Sequence, residues 1–173
     1  IEGTFDGARL ALSATPFDIR DAQGRWAYRD GAFEVSEADF TLEDRERQWR
    51  FAPLIAHDAA LTLADGRITS SASLHEPTSE REVAQVKLAH HLETGDGRAD
   101  FVVDHLRFDD QLQPDTLTPL ALGTIANARG VLRGVGEIVW DEGGVVRSGG
   151  RFSSDSFDFA AAFGPVSGAS GTV

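Results

Sequence analysis

Apolar residues in this chain recur on a two-residue beat. Leu10/Leu12, Phe17/Ile19, Phe33/Val35, Phe40/Leu42, Trp49/Phe51, Leu61/Leu63, Phe101/Val103, Leu106/Phe108 and Phe157/Phe159 all follow it. Successive side chains of a strand point to opposite faces, so each pair marks one apolar face and one wet face. Turn signals fall between the pairs: Asp21-Ala22-Gln23-Gly24, Asp30-Gly31, Asp65-Gly66, Asp96-Gly97 and Glu142-Gly143-Gly144. Asp-Gly between alternating runs is a strong hairpin cue, because both residues tolerate the positive φ of a tight primed turn. The pattern predicts strands near 3–12, 16–21, 25–29, 32–37, 38–44, 48–53, 59–64, 67–75, 83–92, 98–104, 131–141, 145–153, 156–163 and 166–172, each pairing with its neighbour in sequence. The fold class is all-β, a long antiparallel meander.

Two segments depart from the beat. Ser79-Glu80-Arg81-Glu82 has the form of a helix-opening capping box, but Val86, Leu88, His90 and Leu92 alternate behind it, which favours a strand. The stretch 118–128 reads as one short α-helix. Thr118 suits the N-cap, Pro119 the first helical position, and Asn127 or Gly130 the end. Leu117, Leu120, Leu122 and Ile125 give it an apolar stripe suited to capping an open end of the apolar wall.

A meander of this many strands must close as a barrel, split into a sandwich or curl into an open trough. A trough with an uncovered apolar floor would expose more apolar area than a soluble monomer normally tolerates. Hydrocarbon chains are a fitting cover, since their transfer from water gains roughly 25 cal/mol per Å² buried.

Composition narrows the choice by exclusion. At 173 residues the chain is expected to form one domain with a real core. A net charge of −12 disfavours nucleic acid and simple adsorption to anionic headgroups. Cysteine is absent, which excludes disulfide and thiol chemistry. The absence of methionine suggests a processed or excised piece of a larger protein, with any anchor elsewhere.

Candidate chemistry is thin. Adjacent His90 and His91 would face opposite ways and could not share an ion with His105, so no metal site is expected. The carboxylate doublets Glu43/Asp44, Asp109/Asp110 and Asp155/Asp158 read as solvated charges, and no Gly-x-Ser-x-Gly elbow occurs. Gly143-Gly144 reads as a hairpin turn and Gly149-Gly150 as a strand bulge rather than a phosphate loop. No catalytic residue and no cofactor are expected, and the chain is not expected to be an enzyme.

The C-terminal half carries a resemblance. Leu112-Gln113-Pro114-Asp115-Thr116-Leu117-Thr118-Pro119-Leu120, the run from Gly130 to Trp140, and Phe157-Asp158-Phe159-Ala160-Ala161-Ala162-Phe163-Gly164-Pro165-Val166-Ser167-Gly168 resemble the YdbH-like family, once labelled dicarboxylate transport and now grouped with AsmA-like and TamB-like proteins. The similarity is strongest over residues 86–173. It implies a taco-like β-groove in the periplasm of a Gram-negative bacterium, part of a bridge anchored in the inner membrane by a segment outside this chain. It implies phospholipid as cargo and a small outer-membrane lipoprotein as partner, adding strands at an edge such as Val166 to Val173. The dicarboxylate label finds no support, because neither an arginine clamp nor a membrane span is visible.

The residues nominated for lipid contact are the apolar inner-face positions Leu10, Leu12, Phe17, Ile19, Phe33, Val35, Phe40, Leu42, Trp49, Phe51, Leu61, Leu63, Leu88, Phe101, Val103, Phe108, Ile138, Trp140, Phe157 and Phe159. Two rivals stand beside this reading. One is a structural or adhesive β-solenoid or sandwich whose core fills itself, and the other is a carbohydrate-active sandwich using two of the carboxylates.

Overall fold

Among the described residues, ten strands form a single antiparallel sheet in sequence order, β1 to β10, and β1 does not pair with β10. The computed structural model describes residues 1–11, 16–144 and 146–172. The strands are β1 (Glu2–Ala11), β2 (Phe17–Arg29), β3 (Ala32–Asp44), β4 (Leu54–Ala64), β5 (Arg67–His75), β6 (Glu82–His91), β7 (Gly97–Phe108), β8 (Ala126–Trp140), β9 (Val146–Ala161) and β10 (Gly164–Thr172). The architecture is therefore the antiparallel meander that the alternation predicts, and among the described residues it is open, with neither barrel closure nor a second sheet.

One edge of the sheet is a lip of short turns. At Asp30-Gly31 both residues have positive φ, 50° and 83°, and at Asp65-Gly66 they have 49° and 70°. Those values define type I′ turns, whose twist matches that of the flanking strands. The β6–β7 turn differs from expectation. It occupies residues 92–96, with Gly95 at φ 70°, and Gly97 already begins β7. The wider loop closes through His91 N–H donating to Asp96 O at 2.9 Å.

Several expected strand breaks are bulges instead. The segments 16–21 and 25–29 are one strand, as are 32–37 and 38–44, and 145–153 with 156–163. Asp21-Ala22-Gln23-Gly24 lies inside β2 and is not a turn. Asp21, Glu37 and Asp58 take positive φ of 51°, 50° and 51°, and Gly7 takes 66°, where the registers of β1 to β5 slip. An extra residue reverses the inward phase of all that follows, and in the sequence this looks like an interruption. The bulges align across strands, since Ala8 pairs with Ala22 and Ala38 with Ala59. Bulges bend strands, and on this row the inward residues Ala22, Ala38 and Ala59 are small and buried. Gly149-Gly150, in contrast, is ordinary strand in β9, opposite Glu137 and Gly136 with no slip.

The opposite lip carries two long loops, 45–53 and 109–125. The expected strand 48–53 does not form. Asp44 accepts backbone N–H bonds from Glu46 at 3.0 Å and Arg50 at 2.9 Å, diverting the donors a ladder would need. Of the expected helix at 118–128 only a 3-10 turn at Pro119–Ala121 forms; the single α-helical turn, α1 (Pro114–Leu117), lies just before it, and β8 starts at Ala126. Pro119 pushes Thr118 to an extended conformation, φ −151° and ψ 133°, and so divides the segment. Thr118 does cap, accepting the Leu120 N–H at 3.3 Å. Residues 79–92 resolve in favour of a strand, β6.

Candidate functional site: an open apolar wall

Cross-strand registers place the apolar positions on one continuous face. Ile19 lies opposite Leu42, which faces Leu54. Trp26, Val35 and Leu61 form a second row, and Tyr28, Phe33, Leu63, Ile68 and His90 a third nearer the turns. Further along, Leu88, Ala99 and Ile138 align, as do Val86 and Phe101. The reverse face carries Arg25, Glu34, Thr41, Lys87, Arg98, Asp100 and Glu137.

This wall is not sealed by the chain. Among the large side chains described, Leu112 alone is fully buried, whereas most wall residues are half-covered, and Leu10 and Tyr28 remain 50% and 48% exposed. Among the described residues no second layer lies over the turn-side half, because the sheet neither closes nor folds onto another.

The rings of the wall share a second feature. Phe5 pairs with Gly24, Trp26 with Gly3, Trp140 with Gly97, Phe152 with Gly134 and Phe157 with Gly130. A Cβ on Gly3 would stand 2.9 Å from the Trp26 ring, and one on Gly130 would stand 2.8 Å from that of Phe157. At Gly97 and Gly134 it would fall inside the ring's own space. Each glycine therefore lets a ring lie down against the backbone, so that the floor is broad and low.

The loop-side half is closed differently. Leu106, Phe108, Leu112 and Ala128 form one buried cluster and Leu54, Ala56 and Leu74 another; Leu117 and Val83 touch both. The two loops are stitched together across this lip. Ala52 N–H donates to Leu117 O at 2.8 Å, and Thr118 Oγ1 donates to Arg50 O at 2.5 Å. Gln113 donates to the carbonyls of Asp109 and Ala128 at 2.7 and 2.9 Å, and accepts the Ala128 N–H at 2.8 Å.

Among the ion pairs that fasten the loops, two hold their carboxylates well below the usual range. Arg50 Nε donates to Asp44 Oδ2 at 2.7 Å, holding the Asp44 carboxyl at a pKa of about 2 against the cost of its desolvation. The same guanidinium sits 5.2 Å from the Phe17 ring centre, and Phe17 leans on Phe51 at 5.7 Å. Arg81 binds both oxygens of Asp109 at 2.9 Å, which with the Gln111 N–H brings that carboxyl to about 2 as well.

Of the nominated residues, Leu10, Phe17, Ile19, Phe33, Val35, Phe40, Leu42, Leu61, Leu63, Leu88, Phe101, Val103, Ile138, Trp140, Phe157 and Phe159 lie on the wall. Phe108 is also on that face but sunk in the first cluster. Phe51 packs on the second cluster from its loop. Trp49, 43% exposed, stands on the loop outside the sheet, and Leu12 lies outside the described residues. Phe5, Trp26, Tyr28, Ile68, Leu132 and Phe152 belong to the wall and were not nominated. For Trp26 and Tyr28 the signal existed, two and four residues past Gly24 on an even beat.

The carboxylate doublets do not face one another across a cleft. Glu43 bonds Arg20 at 2.9 Å, Asp110 bonds Arg129 at 2.5 Å and Asp155 bonds Arg133 at 3.2 Å, while Asp158 accepts the Gly168 N–H. His90 and His91 face opposite sides, and no group of three metal-ligating side chains is found among the described residues. Among the described residues no helix is long and apolar enough to cross a membrane.

No curated protein and no solved structure matches this chain. A family model does: the YdbH-like model, described as intermembrane phospholipid transport protein YdbH, matches residues 2–173, and with effectively its whole length covered the chain belongs to the YdbH-like family.

Proposed function

We propose that this sheet is a segment of a conduit in which phospholipid acyl chains slide along the apolar wall while headgroups stay in water at its open seam. The observation that carries the reading is the continuous apolar face left half-uncovered over the turn-side half of ten strands. The family's intermembrane phospholipid transport supports it, and with it a location in the periplasm of a Gram-negative envelope. The mechanism is passive. A low, uninterrupted hydrocarbon surface gives a tail similar contact energy at every position, so movement along it meets small barriers.

Within that reading the conduit is a periplasm-spanning bridge, anchored in the inner membrane by a part of the protein beyond this piece. A small outer-membrane lipoprotein extends the sheet by strand addition. The last strand, β10, pairs on one side with β9 and offers a backbone edge on the other among the described residues, which suits such an addition. The chain works as a non-enzymatic carrier.

The test is photocrosslinking of phospholipid to the intact protein with Phe101→Glu. Phe101 is on the open wall and belongs to neither buried cluster. Loss of lipid labelling with an unchanged thermal transition supports the conduit. Unchanged labelling, or a collapse of folding that makes Phe101 ordinary core, refutes it.

A further inference from the structure

The lipid-conduit reading leaves open where along the wall the polar end of the cargo rides, and the two lips differ in this respect. On the loop side the wall ends in packed side chains, since Leu117 and Val83 fill the space beside both buried clusters. On the turn side the wall runs out to aromatic residues with polar tips: Trp26, Tyr28, His90 and Trp140.

One of those tips lacks a partner. His90 Nδ1 lies 3.0 Å from the Asp96 carbonyl oxygen and 3.3 Å from Trp140 Nε1. A ring nitrogen either carries a hydrogen or offers a lone pair, so it cannot both donate to the carbonyl and accept from the indole. A bare nitrogen 3.0 Å from a carbonyl oxygen would set two lone pairs against each other, so Nδ1 carries the hydrogen and gives it to Asp96. The Trp140 N–H is then left without an acceptor, in a ring pinned flat against Gly97 at the last residue of β8. Trp26 repeats the arrangement on β2. Its ring lies on Gly3 and stacks with Phe33 at 6.1 Å, and its indole N–H makes no hydrogen bond among the described residues. The two indoles are about 29 Å apart along the sheet, counting six strand spacings.

We infer that the turn-side lip is the headgroup track of the groove, with the Trp140 and Trp26 indoles donating hydrogen bonds to the ester or phosphate oxygens of a diacyl phospholipid. An indole is apolar over its body and a donor at one edge, which is why tryptophan settles where hydrocarbon meets water. This inference rests on the conduit reading. It adds the direction in which the tails point, from the turn-side lip down toward the bulge row and the packed loop side. It also names the chemistry that distinguishes a phospholipid from a bare hydrocarbon.

The experiment compares retention of two probes by the intact protein after exposure to vesicles: dioleoylphosphatidylcholine, and hexadecane carried in the same vesicles. Trp140→Phe keeps a ring over Gly97 and removes only the N–H. The expected result is a loss of phosphatidylcholine retention of about fivefold, the scale of one hydrogen bond, with hexadecane retention unchanged. Trp26→Phe gives the same split. Equal losses of both probes would assign the indoles to packing, and no loss of either would remove the track; both overturn the inference and leave the conduit in place. Retention of neither probe by the unaltered protein would overturn the conduit reading itself.

Discussion

The two lips of this sheet are built from the same strands and solve opposite problems. The turn-side lip connects β2 to β3 and β4 to β5 through two residues each, and its inner face ends at half-covered rings. The loop-side lip spends residues 45–53 and 109–125 on connections, and those residues return to bury Leu54, Leu74, Leu106 and Phe108. Independent stability for an open sheet requires apolar burial somewhere, and concentrating it at one lip frees the other. The two ion pairs that hold their carboxylates at a pKa of about 2, Asp44–Arg50 and Asp109–Arg81, both fasten the loop side, whereas the pairs on the turn side, such as Arg98–Asp100, are more exposed.

That contrast can be broken from the stabilising side first. Leu112→Ala removes the one large side chain that is fully buried, 1% exposed, and is expected to cost about 2–5 kcal/mol in urea unfolding. Tyr28→Ala at the open lip, where the ring is 48% exposed, is expected to cost far less. Equal costs would mean that the two lips are packed alike.

Gln113→Leu comes next. It removes one of the two bonds to the Asp109 carbonyl and takes from the buried Ala128 both the donor to its carbonyl and the acceptor for its N–H. A loss of about 1–3 kcal/mol is expected, with hydrogen exchange speeding first at Ala128. Unchanged exchange there would show that the loop is held by apolar contact alone.

Acid should act most strongly on the loop side. Asp44 and Asp109 titrate near 2 in the folded protein, below the ordinary aspartate value of 3.8. A depressed pKa contributes stability that is full above the unfolded value and is lost as pH falls through the folded one. Loosening of residues 45–53 and 109–125 is thus expected between about pH 4 and 2, ahead of the hairpins at Asp30-Gly31 and Asp65-Gly66. Trp49 fluorescence, in a background with Trp26 and Trp140 changed to Phe, reports it. Simultaneous melting of both lips would contradict the division.

The smallest effect is at Gly3→Ala. A Cβ there meets the Trp26 side chain first, at 2.9 Å, so the ring should lift while the backbone stays. A stability change below about 1 kcal/mol is expected, together with a shift of Trp26 emission when the other tryptophans are replaced. An unchanged spectrum would mean that the ring does not depend on the glycine beneath it.

Much of this was legible in the residues, and the misses are informative. Period-2 alternation and Asp-Gly turns are local, so the strand order and the wet and apolar faces followed from them. The bulges at Asp21 and Glu37 appeared as strand breaks because a phase slip and a chain reversal look alike one strand at a time. Only the paired registers show that the slips align. Trp49 and Phe51 alternate as wall residues do, yet the N–H groups of Arg50 and Ala52 beside them are claimed by Asp44 and by a loop more than sixty residues away. The glycines under Trp26, Trp140 and Phe152 carried no signal, since each gains its meaning from a ring on the next strand.

The sequence by itself determined an antiparallel meander with one oily face, because side-chain alternation and turn conformation are properties of a few adjacent residues. Which lip would be stitched shut, where the sheet would bend, and which rings would lie flat were settled only in three dimensions. Those outcomes depend on pairings between residues far apart in the chain, which no local pattern encodes.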